Sequence, residues 1–369
     1  MTSPQTIIDN LAPVLAEIAA TAAQREQDRE FSRDLAKQLS AGGFTKLRIP
    51  IEFGGLGFSL PEAFEVLVAV AAADSNIAQG LRPHFLAVES LLIAPDSEHR
   101  TKWLRKIVAE GVVIGNALTE GGNKPGELKT KIRKDGEAFV LSGTKFYSTG
   151  SLYADWIQVH AKDEEDQDVF AFVDRDASGV VLVDDWDGFG QKLTASGTTT
   201  FKDLDPRWII PRTDAPTLVW TYLQLNLLTV LVASAAAAVD EVVARAQSST
   251  RNAWNPGVER RSDPAATIAI GDARSRVTVI RGALLDATRH VSNAATIATP
   301  DAFNEADAIV AALWPIVSEQ ALVVTSTVFD AVGASAVLGE HSIDRHWRNV
   351  RTVSSNNPVF LAKNAVGEY

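Results

Sequence analysis

Between Val112 and Pro211 the hydrophobic pattern of this chain changes period, and whatever lies on either side has to pack around that change. Before it, apolar positions recur at helical spacing, as at Ile7, Ile8, Leu11, Val14, Leu15 and Ile18. Inside it, short segments alternate between apolar and polar residues. KTKIRKDGEAFVLSGTKFYSTG (129–150) holds two such segments on either side of Lys134-Asp135-Gly136, in the manner of a hairpin. VFAFVD (169–174), GVVLVDDW (179–186) and TTTFKDL (198–204) are further strand candidates. Six or more short strands with turn signals predict a closed or nearly closed barrel rather than a parallel sheet. No GxGxxG opens a strand–helix unit, which disfavours a Rossmann nicotinamide site.

The flanks read as helices. Ser59-Leu60-Pro61-Glu62 has the Ser-x-x-Glu capping pattern, and Gly42-Gly43 ends the helix before it. From about Asp214 three long apolar helices follow, with Asn255-Pro256-Gly257 as a break and Pro315 as a kink. Their lengths fit an antiparallel four-helix bundle. With 369 residues, the chain divides into an N-terminal helical region (1–111), a central β-barrel region (112–213) and a C-terminal bundle (214–369), an α+β multidomain class. Helices this apolar on several faces predict burial against a second copy, as a dimer or tetramer.

Charge and sulfur content narrow the function. A net charge of −11 argues against nucleic acid as a partner. The start MTSPQTIIDN lacks the basic-then-apolar layout of a signal peptide, and the longest mostly apolar run, Leu227–Val239, spans 13 residues. That run is shorter than a bilayer span, so a cytoplasmic protein is expected. There is no cysteine, and the one methionine is Met1. Disulfides, thiolate nucleophiles and Cys-ligated metals are thereby excluded. Three accounts of the depletion stand side by side: compositional drift, protection from self-oxidation, and economy in a protein made when sulfur is scarce. The last requires expression to rise when sulfate is withdrawn.

The edge of the β region carries the sharper signal. NALTEGG (116–122) and LSGTKFYSTGSLYADW (141–156) end strands in small, hydroxyl and amide residues, which suit a flat ligand rich in acceptors. These segments resemble the flavin-contacting middle domain of the acyl-CoA dehydrogenase superfamily. RIPIEFGGLG (48–57) and DRHWRNVRT (344–352) are similar to two further landmarks of that superfamily, in the same order. Dehydrogenases of the superfamily need a carboxylate base, in many of them near the end of the bundle. Here the matching stretch is TVSSNNPVF (352–360), and no Asp or Glu lies between Asp344 and Glu368.

DDWDGFGQKLTASGTTTF (184–201) and the DRHWRNVRT stretch instead resemble the two-component flavin monooxygenases, the branch of dibenzothiophene monooxygenase and related sulfur-acquisition enzymes. That resemblance implies FMN, delivered reduced (FMNH2) by a separate NAD(P)H:flavin reductase, with O2 as co-substrate. It implies a C4a-hydroperoxyflavin that oxygenates an organosulfur compound. The alternatives are an FAD-dependent acyl-CoA dehydrogenase and a flavin N-monooxygenase. By the same resemblance Asn116, Leu118 and Thr119 line the pyrimidine side of the flavin, with Asn116 near the peroxide. Ser148 and Thr149 contact the ring near N5, and Trp186 packs near it or closes the barrel. Arg251 meets the flavin phosphate, and Ser335 adds a contact from a neighbouring subunit. His84 faces the ligand cavity or is a satisfied helix histidine; Val88 at i+4 gives it no metal-ligating partner. By the same resemblance, the dibenzothiophene enzyme has a histidine where this chain has Asn356, which implies that peroxide protonation differs here or falls to His84.

Overall fold

A computed structural model describes the chain apart from Met1, residues 122–126, Glu137, Arg207, residues 213–216, Thr250, Arg251, Ala253, Trp254 and Tyr369. Helices α1 (Pro4–Asp28), α2 (Arg33–Ala41), α3 (Leu60–Ala73), α4 (Ser75–Ile93) and α5 (Glu98–Glu110) come first. Local chemistry sets their starts. Ser3, Ser32, Asp74 and Ser97 each accept a bond from a first-turn N–H. Ser59 and Glu62 form the reciprocal capping box at the start of α3.

The central region is one eight-stranded sheet. Its strands are β1 (Ile114–Ala117), β2 (Lys131–Asp135), β3 (Ala138–Lys145), β4 (Trp156–Lys162), β5 (Asp168–Asp174), β6 (Val180–Val183), β7 (Thr198–Leu204) and β8 (Trp208–Pro211). The order is β6-β7-β3-β2-β4-β5-β8, with β1 lying parallel on β4. The edge strands β6 and β8 are not paired with each other, so of the two predicted forms the sheet is not the closed one. One face buries Ile132, Leu141, Val159, Val169, Phe201 and Leu204 as a core of its own.

Two strand boundaries differ from the sequence pattern. GVVLVDDW stops being a strand at Val183, because the Asp185 carboxylate accepts from the Thr198 N–H and hydroxyl and turns the chain there. Strand β8 has four residues, Trp208–Pro211, too few to display an alternating signal.

The last region contains α6 (Val219–Ser248), α7 (Pro264–Ile297), α8 (Pro300–Thr327), α9 (Asp344–Ser354) and α10 (Val359–Glu368). The bundle has three long members, and short α9 and α10 share the remaining place, α9 against α6 and α8, α10 against α8. Helix α6 is the hub and also packs on α3 and α4, joining the bundle to the first region. Alanines 233, 235 and 238 are fully buried there and permit close approach. Three helices, Pro4–Asp28, Val219–Ser248 and Pro300–Ala331, are long and apolar enough to cross a bilayer, which corrects the expectation drawn from one uninterrupted run. Thr221, Gln224 and Asn226 lie in α6 ahead of that run and extend the helix without adding charge. In the fold, 67% of the apolar window of α6 is buried by other elements.

Candidate active site

Four pieces of backbone converge at the rim of the sheet. The Asn116 N–H, on β1, donates to Thr149 O at 3.1 Å, and the Ser148 N–H donates to Gly197 O at 3.0 Å. The Gly150 N–H donates to Thr194 O at 3.0 Å. A Cβ on Gly115 would stand 3.0 Å from Ser151 N, and one on Gly150 would stand 2.2 Å from Gly80 O of α4. Gly150 also has φ +78°, so glycine is required there twice over. Strand β1, the 146–153 loop, the 191–197 loop and α4 are therefore locked together at one point.

The side chains at this point are neutral donors and acceptors. Thr149 Oγ1, Ser196 Oγ and Thr194 Oγ1 form a chain at 2.9 and 2.8 Å that ends on Gln191 O. Ser148 is fully buried and its hydroxyl has no partner. Asn116 is 6% exposed, and its carboxamide has no hydrogen bond among the described residues. Buried polar groups without partners are uncommon and call for a ligand or a stated reason. Hydroxyls and an amide answer the carbonyls and ring nitrogens of an isoalloxazine without introducing charge. The residues present fit a flavin.

The 191–197 loop is held from behind. Asn349 Oδ1 accepts from the Gln191 N–H at 2.6 Å, and Asn349 and Gln191 both donate to Ser75 Oγ at 3.1 Å. Asn76 Oδ1 accepts from the Leu193 N–H. The DRHWRNVRT segment thus reaches the site through Asn349, a role that residue-type reasoning missed. A second omission lies beneath Leu118 and Thr119. Lys145, fully buried, donates to Glu120 Oε1 at 2.9 Å and to Leu118 O at 3.4 Å. Glu120 also accepts from the Lys129 and Thr130 N–H groups. Burial opposes its charge, but hydrogen bonds from Thr130, Lys145 and those N–H groups prevail and hold its carboxyl at about 2. The available signal was a lysine at an inward position of an alternating strand.

Of the anticipated residues, the structure brings together Asn116, Ser148 and Thr149, with Leu118 and exposed Thr119 on the adjoining turn; the Phe146 N–H donates to Thr119 O. Trp186 uses its indole N–H on Gln191 O and Gly190 O, closing its own loop, and its ring stands edge-on to Tyr147 at 6.1 Å. His84 is 1% exposed and its Nε2 donates to Thr45 O at 2.7 Å. Burial pushes its imidazole down to about 4, against weaker support from Thr45 and Asp155. The α4 residues that line a void against α3 and α6 are Arg82, Phe85, Leu86 and Glu89; His84 is not among them. Asn356 is exposed in the α9–α10 connection, where Asn357 is held by Gln224. Ser335 is exposed in the short 3-10 segment Ala334–Val337 that follows α8. Arg251 lies outside the described residues. Near Ser335, Arg260 is 8% exposed with an unpartnered Nε and a guanidinium 3.3 Å from the Cβ position of Gly333.

Three family models match in succession: the acyl-CoA dehydrogenase N-terminal domain over residues 11–111, the middle domain over 116–204 and the C-terminal domain over 228–357. The chain belongs to the acyl-CoA dehydrogenase superfamily. Dibenzothiophene monooxygenase of Rhodococcus erythropolis is 26% identical over 95% of this chain and 89% of its own length. A probable FMNH2-dependent monooxygenase, SfnC of Pseudomonas putida, is 23% identical over 100% and 95%. The FMN-bound crystal structure of TdsC from Paenibacillus sp. A11-2 superposes with a TM-score of 0.90 at 24% identity, covering 98% and 96% of the two chains. Within the superfamily these relatives place the chain in the flavin monooxygenase branch. The site agrees. The α9–α10 connection of Ser355, Asn356, Asn357 and Pro358 supplies no carboxylate, and Glu89 on α4 is bound to Arg48 at 2.7 Å.

Proposed function

We propose that this protein is a reduced-flavin-dependent monooxygenase that oxygenates an organosulfur compound in sulfur acquisition, using FMN. The observation that carries the reading is a rim of neutral donors with an unpartnered, buried Ser148 hydroxyl, together with an α9–α10 connection whose residues supply no carboxylate. When bound, reduced FMN supplies two electrons with which one oxygen atom of O2 is transferred to the substrate and the other leaves as water. The protein binds the ring and keeps water from it. Leu118, Thr119, Asn116, Ser148 and Thr149 would hold the ring, the last three with their side-chain amide and hydroxyl groups. The Lys145–Glu120 pair fixes the turn that carries Leu118 and Thr119. Trp186 shields the ring edge. Arg251 receives the phosphate, with Ser335 and the neighbouring Arg260 reaching it together from a second subunit of a homotetramer. His84 stays neutral at pH 7 and supports the fold behind the rim. Asn356 borders the entrance. A separate NAD(P)H:flavin reductase delivers the reduced flavin, and the cytoplasm is the compartment that contains both.

The test supplies the protein with FMN, a flavin reductase, NADH and 18O2, and measures peroxide release with and without organosulfur compounds. Incorporation of one 18O atom into product, with peroxide release falling in step, is the expected outcome. Anaerobic bleaching of bound flavin by an acyl-CoA would return the chain to the dehydrogenases.

A further inference from the structure

Three hydroxyls at the rim form a chain whose direction is fixed from its inner end. Thr194 Oγ1 lies 3.0 Å from Gln191 O, and a carbonyl oxygen only accepts, so the Thr194 hydrogen goes there. Ser196 Oγ lies 2.8 Å from Thr194 Oγ1, and with the Thr194 hydrogen committed, Ser196 is the donor. Thr149 Oγ1 lies 2.9 Å from Ser196 Oγ, and for the same reason Thr149 donates. Each hydroxyl has one hydrogen, so three contacts made by three hydrogens admit this one arrangement. The other acceptor within reach of Thr149, Tyr147 O at 3.4 Å, also belongs to the protein. Ser148 still has a hydrogen to give to a ligand, because its hydroxyl is unpartnered. Thr149 does not, and towards anything bound at the rim it is an acceptor.

The inner end of the chain is anchored. Gln191 O also accepts from Trp186 Nε1 at 3.0 Å, and the Gln191 N–H is held by Asn349 Oδ1 at 2.6 Å. Gln191 and Ala195 have φ +52° and +53°, a region sparsely populated by residues other than glycine, and such conformations persist where the surroundings impose them. Thr194 and Thr149 are 2% and 6% exposed, which limits competition from water. We propose that Thr194 and Ser196 are positioning residues that hold the Thr149 hydroxyl as an acceptor, and that the site thereby distinguishes reduced from oxidised flavin. The inference rests on the flavin reading above, with Thr149 at the N5 edge of the ring. N5 is the atom at which the hydrogen-bonding sense of an isoalloxazine changes. Oxidised, it has an in-plane lone pair and only accepts; reduced, it bears a hydrogen and donates. A freely turning hydroxyl would serve both forms alike. One held as an acceptor gives the reduced ring a hydrogen bond and sets its own lone pair against that of the oxidised ring. The same orientation thus favours keeping the reduced cofactor and letting the oxidised one go back to the reductase.

The test titrates flavin-free protein with FMN and, without oxygen, with FMNH2, and measures the midpoint potential of the bound flavin. In Thr194→Val the Ser196 hydrogen loses its acceptor and turns to Thr149, whose own hydrogen then faces the rim. The affinity for FMNH2 relative to FMN should fall about fivefold, the worth of one neutral hydrogen bond. That fall lowers the midpoint potential of the bound flavin by about 20 mV. Thr194→Ser keeps a hydroxyl for Gln191 O and should retain the wild-type ratio. Ser196→Ala, at a half-buried position, removes the acceptor of Thr149 directly and should lower the ratio in the same direction. A ratio unchanged in Thr194→Val and Ser196→Ala overturns the inference. Equal weakening of both flavin forms overturns it too, because lost packing alone has that effect. Wild-type protein that binds neither form removes the flavin reading and the inference with it. Flavin binding with a ratio indifferent to Thr194 and Ser196 removes the inference alone.

Discussion

Single residues here differ most in whether they have partners, and that difference governs what each can do. His84 illustrates the point. With Nε2 on Thr45 O and a folded value near 4, it is neutral throughout the physiological range. The sign of its linkage follows. An unfolded histidine takes up a proton near pH 6.5, and the folded one does not until about 4. Its contribution is therefore fully present above pH 6.5 and is lost as pH falls from there towards 4, by about 3 kcal/mol in all. Buried His346 and half-buried His160 are shifted in the same direction, by burial first, so the wild type should lose melting temperature steadily across that window. In His84→Gln the side-chain amide still donates to Thr45 O, and melting scans from pH 7 to 4.5 should show a shallower decline. An unchanged slope would mean that His84 is protonated in the fold, which would reopen its candidacy as a proton donor.

Among elements, the clasp between α9 and the 186–197 loop matters most for the site. Arg348 Nη1 ties α9 to Glu26 of α1 at 2.6 Å and to Phe189 O at 3.0 Å, and Asn349 holds Gln191. The loop can approach α9 this closely because position 190 has no side chain. A Cβ there would lie 2.1 Å from Arg348 O and 2.6 Å from Thr352 Oγ1. Gly190→Ala must lift the loop from α9 and break the Asn349 bond, at a cost of about 2–4 kcal/mol. Because the same loop carries Thr194 and Ser196, FMN affinity should fall with it. Gly271→Ala on exposed α7, where nothing lies within 4 Å, is the control and should raise stability by about 0.5–1 kcal/mol. Denaturant melts and FMN titrations of both variants check this; equal stability losses at the two positions would refute the clasp.

At the scale of the molecule, the bundle leaves apolar surface uncovered. Ile268 and Val279 are 72% and 68% exposed, and their spacing of eleven residues puts them on one face of α7. Ile316 on α8 and Phe360 and Leu361 on α10 are exposed as well. Apolar surface of this kind marks association, and a homotetramer completes the flavin phosphate site if Ser335 serves a neighbour. Ile268→Lys with Val279→Lys should lower the sedimentation mass relative to wild type and weaken FMN binding, while the far-ultraviolet spectrum stays the same. A wild-type monomer in sedimentation would remove both the tetramer and the shared phosphate site.

What the amino-acid order determined by itself was local or carried by motif. The capping box at Ser59, the turn at Gly136 and the change of period at Val112 depend on residues within a few positions of each other, and all three are where the pattern put them. The rim residues Asn116, Ser148 and Thr149 were reached through the family resemblance of their segments, and their flavin contacts stand as the proposal above. Only tertiary structure decided which charges were answered. Arg48 finds Glu89 at a separation of 41 residues, Gln191 finds Asn349 at 158, and Arg82, on the same helix as Glu89, finds no partner among the described residues. Hydrogen bonds and ion pairs act over a few ångströms, so a side chain's partner depends on which distant segment is packed beside it. That packing follows from burying apolar faces, in which the identity of any one polar residue has almost no part.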